Sequence, residues 1–228
     1  MDRVLTEPLF YIDFFYGFSF LLMSFVIFQG TRKASSVVFV PTFYMLGGFS
    51  LVHGTTELID WVSFILKTNG AGEFEALIIL SQSCLITSFV LLLQFGVNLL
   101  TCESEKKAIY RLLPALSFVA YVAYIFVAET SHIRAAGLIA RRGFGFSGAL
   151  LSGLAFFRLA LSLKVIGRPR LTKGLIVAGA GFACYAFFGG LVVEPILGLP
   201  VQLFRAACAL TISACSFAIL DVLAVSKP

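Results

Sequence analysis

Charge is scarce in this 228-residue chain. Asp, Glu, Lys and Arg together make up 13% of it, about half the ~25% typical of a soluble domain. That deficit excludes an ordinary water-facing globular surface. Histidine is scarcer still, with two in the whole chain, which argues against the histidine-rich zinc or iron centres of membrane hydrolases and hydroxylases. No CxxC pair occurs among the five cysteines. Cys84, Cys184, Cys208 and Cys215 fall in apolar runs and Cys102 in a charged loop, so neither a disulfide framework nor a thiolate metal site is expected. Residues 200–223 contain no lysine, which excludes a retinal Schiff base in the last apolar run. A Ser-His-Asp arrangement, a phosphate loop and a basic-aromatic patch are also missing. The chain is therefore read as neither an enzyme nor a nucleic-acid binder. No internal repeat or low-complexity tract is visible, which weakens a small transporter built from inverted halves.

What the chain does have is apolar length. Hydrophobic residues make up 59% of it and the mean hydropathy is +0.98. Several runs reach the ~20 residues needed to cross a ~30 Å hydrocarbon core. Breaks carrying charge, Gly or Pro divide them into seven spans, at 9–29, 37–65, 75–100, 112–130, 145–164, 174–194 and 200–223. The expectation is an all-α integral membrane protein of seven transmembrane helices in one domain. The first run follows acidic Asp2 and Glu7 and lacks a small-residue cleavage site, so it reads as a retained span. The Pro195–Pro200 segment forces a helical hairpin between the last two spans.

The basic residues (net charge +5) sort by loop. Arg32, Lys33, Lys106, Lys107, Arg111, Lys164, Arg168, Arg170, Lys173 and Lys227 gather on one side, ten against the five on the other, Arg3, Lys67, Arg134, Arg141 and Arg142. The positive-inside bias then sets the N-terminus outside and the C-terminus in the cytoplasm.

Against this background His53, Glu57 and Asp60 stand out. Their spacing places them within roughly 40° of one another on one helical face. Carboxylates at membrane depth cost roughly 2.5–3.5 kcal/mol each on insertion scales and normally face a protein interior or water. The plain alternative is the wet end of a helix. Asp13, Glu129, His132, Glu194, Gln202 and Arg205 reach the same level on other spans, so a polar ligand pocket in the outer leaflet is expected. Arg205 either snorkels to the interface or pairs with Glu57, Asp60 or a ligand anion. Arg158 and Asp221, nearer the cytoplasmic side, are a structural pair or two snorkelers. Two histidines also suffice for one bis-histidine b-type haem with His53 and His132 as axial ligands, a redox alternative. The aromatic first span, Phe10 to Phe20, reads mainly as packing and interface belt.

Three segments carry a resemblance. Leu-Gly-Gly-Phe-Ser-Leu-Val-His-Gly-Thr-Thr-Glu-Leu-Ile-Asp-Trp (46–61), Leu-Leu-Leu-Gln-Phe-Gly-Val-Asn-Leu-Leu (91–100) and Gly-Leu-Pro-Val-Gln-Leu-Phe-Arg-Ala (198–206) resemble, in order, segments of the multi-span N-terminal membrane regions of bacterial sensor histidine kinases and diguanylate cyclases. The resemblance implies a sensory input domain whose last helix continues into cytoplasmic PAS, kinase or cyclase modules, fused or in trans, with a homodimer as the working unit. By position, His53, Gly54 and Glu57 fall on the family's His-Gly segment, and Gln202 and Arg205 on its last-span entry. The expected roles are ligand contact for His53, Glu57 and Asp60, and coupling to the output helix for Gln202 and Arg205.

Overall fold

An apolar segment in lipid has to satisfy its backbone N–H and C=O groups internally, and a helix does so within a single segment. The described residues follow that rule: they are almost entirely helical, with no strand among them. The computed structural model describes residues 8–34, 39–70, 74–102, 107–127, 133–165, 168–192 and 194–225. Among them are seven helical rods. Helix α1 is Pro8–Lys33. Helix α2, Phe43–Thr68, follows a 3-10 turn at Val40–Thr42. Helices α3 and α4 are Glu75–Leu100 and Lys107–Val127.

The next two rods each contain a π-helical stretch. Helix α5 covers 133–165, as Ile133–Ala140, a π turn at Arg141–Gly145, and Phe146–Val165. Helix α6 covers 169–191, as Pro169–Tyr185 followed by a π stretch at Ala186–Leu191. Helix α7 is Val201–Val225. Five rods contain a stretch long and apolar enough to cross a membrane: Phe10–Lys33, Glu75–Leu100, Gly137–Lys164, Pro169–Leu191 and Val201–Val225.

The rods fall where the apolar runs predict, with one large difference. Helix α5 begins at Ile133, well before the expected 145, because Arg141 does not lie in a loop: its side chain turns inward within the helix. The Pro195–Pro200 connection is the expected hairpin. Ile196 and Leu199 exchange backbone hydrogen bonds, both 2.9 Å, around Leu197 (φ 52°) and Gly198 (φ 77°). Two consecutive positive φ values are those of a type I′ two-residue turn.

Six rods close a ring in the order α1, α2, α3, α5, α6, α7 and back to α1, while α4 leans on the outside of α3. Tyr121 of α4 also meets Phe144 of α5 edge-on, with centroids 5.5 Å apart. Inside the ring the two halves differ. Around the start of α2, the rings of Phe43, Phe95, Phe156 and Phe182 form a dry aromatic layer with centroid spacings of 5.5–6.1 Å. Such contacts add roughly 0.5–1.5 kcal/mol per pair beyond the area they bury. The other half, some ten residues further along α2, is polar.

Close backbone approach makes the polar half possible. A Cβ on Gly54 would stand 2.9 Å from the Gly17 carbonyl oxygen, so α1 and α2 touch backbone to backbone there, as small residues allow in membranes. That contact brings Tyr16 against His53. The aromatic run of α1 divides accordingly: Tyr11, Phe14, Phe15 and Phe18 are exposed while Tyr16 and Phe20 are fully buried.

Candidate functional site

His53 is the centre. It is completely buried, and the rings of Phe20, Phe49 and Phe89 lie 4.6–5.3 Å from its imidazole. Its Nδ1 is 3.1 Å from Ser88 Oγ, and Ser88 donates its one hydroxyl proton to the Leu85 carbonyl at 2.6 Å. Ser88 must therefore accept, which assigns the imidazole proton to Nδ1. The other nitrogen, Nε2, carries the lone pair and lies 3.1 Å from the hydroxyls of both Tyr16 and Tyr185, which share it as their acceptor. Three helices besides its own thus hold this one ring.

Glu57 continues the cluster one turn on. Its Oε1 lies 3.6 Å from His53 Nε2 and 3.8 Å from an Nη of Arg141. This oxygen and Arg141 Nη1 are buried without a hydrogen-bond partner. Arg141 also lies 6.0 Å from the centroid of Phe89, a cation–π distance. The arrangement sets two acceptors, His53 Nε2 and Glu57 Oε1, side by side, with a guanidinium behind the carboxylate. His53 Nε2 already has its tyrosine partners, so a proton or donor group placed here would satisfy Glu57 Oε1. Charges held this way are far costlier than on a surface, because the low local dielectric strengthens attraction and penalty alike.

Asp60 completes the face but belongs to a different space. Ser81 of α3 donates to its Oδ1. Both residues line an open cavity of about 310 Å³ between α2 and α3, walled by Phe64, Phe74, Leu77 and Ile78 and rimmed by Lys67. Asp13 of α1 is half-buried within electrostatic reach of Asp60 and Arg205. The next residue on α2, Trp61, donates its indole N–H to the Phe10 carbonyl at 3.0 Å, tying α2 to α1.

Arg205 occupies its own niche. Nearly buried (6% exposed), it donates from Nε to the Phe188 carbonyl and from Nη2 to the Val192 carbonyl, both at 2.8 Å. These carbonyls belong to the π-helical end of α6, where the helical ladder runs out and orphan carbonyls need partners. Arg205 thus caps α6 from α7. Gln202, one turn earlier, is half-buried. Arg158 donates to the Leu100 carbonyl at the C-terminus of α3, a favourable place for a cation.

The expected residues therefore divide into groups. His53 and Glu57 converge in the buried centre, Asp60 opens on the cavity, and Arg205 holds the α6–α7 junction. Glu129 and His132 lie outside the described residues. The bis-histidine haem alternative does not fit His53: both its nitrogens already face protein groups and aromatic rings cover it, which leaves no open side for an axial bond to a porphyrin iron. Of the residues around His53 and Glu57, Ser88 and Tyr185 are not singled out by the sequence, Tyr16 reads as part of the aromatic first span and Arg141 as a loop charge. The available signal was Arg141, which lies within the apolar Gly137–Lys164 stretch and is as costly there as any intramembrane charge.

Comparison with family models, with curated proteins and with solved structures gives no match for this chain.

Proposed function

We propose that this chain is a membrane-embedded sensory input domain that binds a small ligand among polar groups at one end of the ring and signals through α7. In this reading all seven rods span a bacterial inner membrane, with the N-terminus outside, and a homodimer passes the signal to cytoplasmic kinase or cyclase modules, fused or in trans. Removing Arg141 from the loop tally leaves ten basic residues against four, the same direction of bias. One observation carries the proposal: every helix of the ring contributes a group to the buried polar centre or its junction. Tyr16 comes from α1, His53 and Glu57 from α2, Ser88 from α3, Arg141 from α5, Tyr185 from α6 and Arg205 from α7. A change in occupancy at such a hub alters contacts on five helices at once and reaches the output helix through α6, which carries both Tyr185 and the carbonyls that Arg205 holds. The ligand biases the equilibrium only by its different affinity for the two arrangements.

The test joins the chain after Val225 to a histidine-kinase module in lipid bilayers and follows autophosphorylation. His53→Gln and Arg205→Met each shift basal output by on the order of fivefold or more, the lower end of ordinary allosteric coupling. Unchanged output from both variants, with thermal unfolding showing that they are folded, refutes the reading.

A further inference from the structure

At its Asp60 end, the cavity between α2 and α3 offers a ligand hydrogen-bond acceptors. Ser81 has its hydroxyl proton committed to Asp60 Oδ1. Ser63 donates its own to the Ile59 carbonyl at 2.8 Å. Each hydroxyl is left with lone pairs only. Asp60 is a carboxylate with lone pairs remaining. Phe64 and Phe74 complete the lining with aromatic rings, whose faces attract cations.

We propose that this cavity binds an organic ammonium ion, its N–H groups on Asp60, Ser81 and Ser63 and its apolar body against Phe64 and Phe74. The assignment rests on the sensory reading above and names the ligand class for that function. An ammonium group presents several donors and no acceptor, which complements the oxygens of Asp60, Ser81 and Ser63, whereas an anion at that end would meet a carboxylate and lone pairs only. A bare metal cation could use the same oxygens, but it needs them drawn in to about 2.0–2.6 Å. A cavity of about 310 Å³ with apolar walls is instead at the lower end of the small-molecule range. Lys67 stands on the rim, about two turns along α2 from Asp60. A second positive charge at the far end of the ligand would meet it, so a monoammonium ion is preferred to a diammonium ion.

Isothermal titration calorimetry on the detergent-purified full chain tests this with phenethylammonium as the probe. The comparators are 2-phenylethanol, 3-phenylpropionate and 1,4-diammoniobutane at constant ionic strength. The expected result is saturable one-to-one binding of phenethylammonium, with each comparator weaker by about tenfold or more, the usual effect of losing a charged hydrogen bond. Asp60→Asn produces the same loss. Leu77→Trp, which fills the cavity without touching the charge, also abolishes binding and decides the matter if the Asp60 variant does not fold. Equal binding of 2-phenylethanol, unchanged affinity in Asp60→Asn, displacement by millimolar sodium or potassium at fixed ionic strength, or no saturable heat overturns the proposal. The kinase fusion separates the two ideas. Asp60-dependent binding that leaves kinase output unmoved defeats the sensory reading and keeps the site. Output that responds to His53→Gln and Arg205→Met, with no ammonium binding, defeats the ligand class alone.

Discussion

Replacing Arg205 with Met tests how the output helix is held. Met keeps much of the apolar stem and removes the two donors, so the packing of α7 changes little while the Phe188 and Val192 carbonyls lose their partner. Two effects of different size could result. Side-chain hydrogen bonds between membrane helices average only about 0.6 kcal/mol, because the separated helices find other partners. Hydrogen bonds to a charged group contribute about 1.5–3 kcal/mol each. The geometry favours the larger figure: both contacts are 2.8 Å, the guanidinium is nearly buried, and the carbonyls lie at the end of a π stretch with no ladder beyond it. Two such bonds that are not fully additive give about 3–4 kcal/mol. Reversible unfolding in mixed micelles measures the difference, and hydrogen exchange at 186–192 localises it. Arg205→Lys, a point charge without the planar fork, should recover less than half. A loss below about 0.6 kcal/mol, with exchange at 186–192 unaltered, refutes the capping role.

Three further outcomes follow from the same geometry. Gly54→Ala places a methyl group 2.9 Å from the Gly17 carbonyl and should cost about 1–3 kcal/mol through forced separation of α1 and α2, read by unfolding and by a changed Trp61 emission. Ser88→Ala removes the acceptor for His53 Nδ1–H and should cost about 1 kcal/mol in unfolding free energy; imidazole ¹⁵N chemical shifts of the unaltered chain should report the Nδ1–H tautomer, and an Nε2–H tautomer there contradicts the assignment. Leu197→Asn relieves a left-handed backbone at a 95%-exposed side chain and should stabilise by about 0.5–1 kcal/mol, visible as a raised unfolding midpoint.

The sequence alone determined the architecture at the level of rods. Apolar length, the breaks between runs and the hairpin at Pro195–Pro200 sufficed because in lipid a backbone must pair with itself, and helix length follows from the thickness to be crossed. It also singled out His53, Glu57 and Asp60, since rare ionisable groups at one helical spacing are conspicuous in an apolar chain. Only the tertiary structure decided what they do to one another. A helical spacing puts the three on one face, but not that α3 would lie against it, so that Asp60 faces a cavity while His53 is sealed among aromatic rings. Tyr16 and Tyr185 look like ordinary belt or packing residues until α1 and α6 bring their hydroxyls to one imidazole nitrogen. Arg141 counts as a loop charge until a π turn carries it inside opposite Glu57. Arg205 finds backbone carbonyls instead of a carboxylate, and no side-chain pattern announces those, because they are freed by the way α6 ends. Periodicity is a local property of the chain; the pairing of buried polar groups depends on which helices become neighbours, and packing sets that.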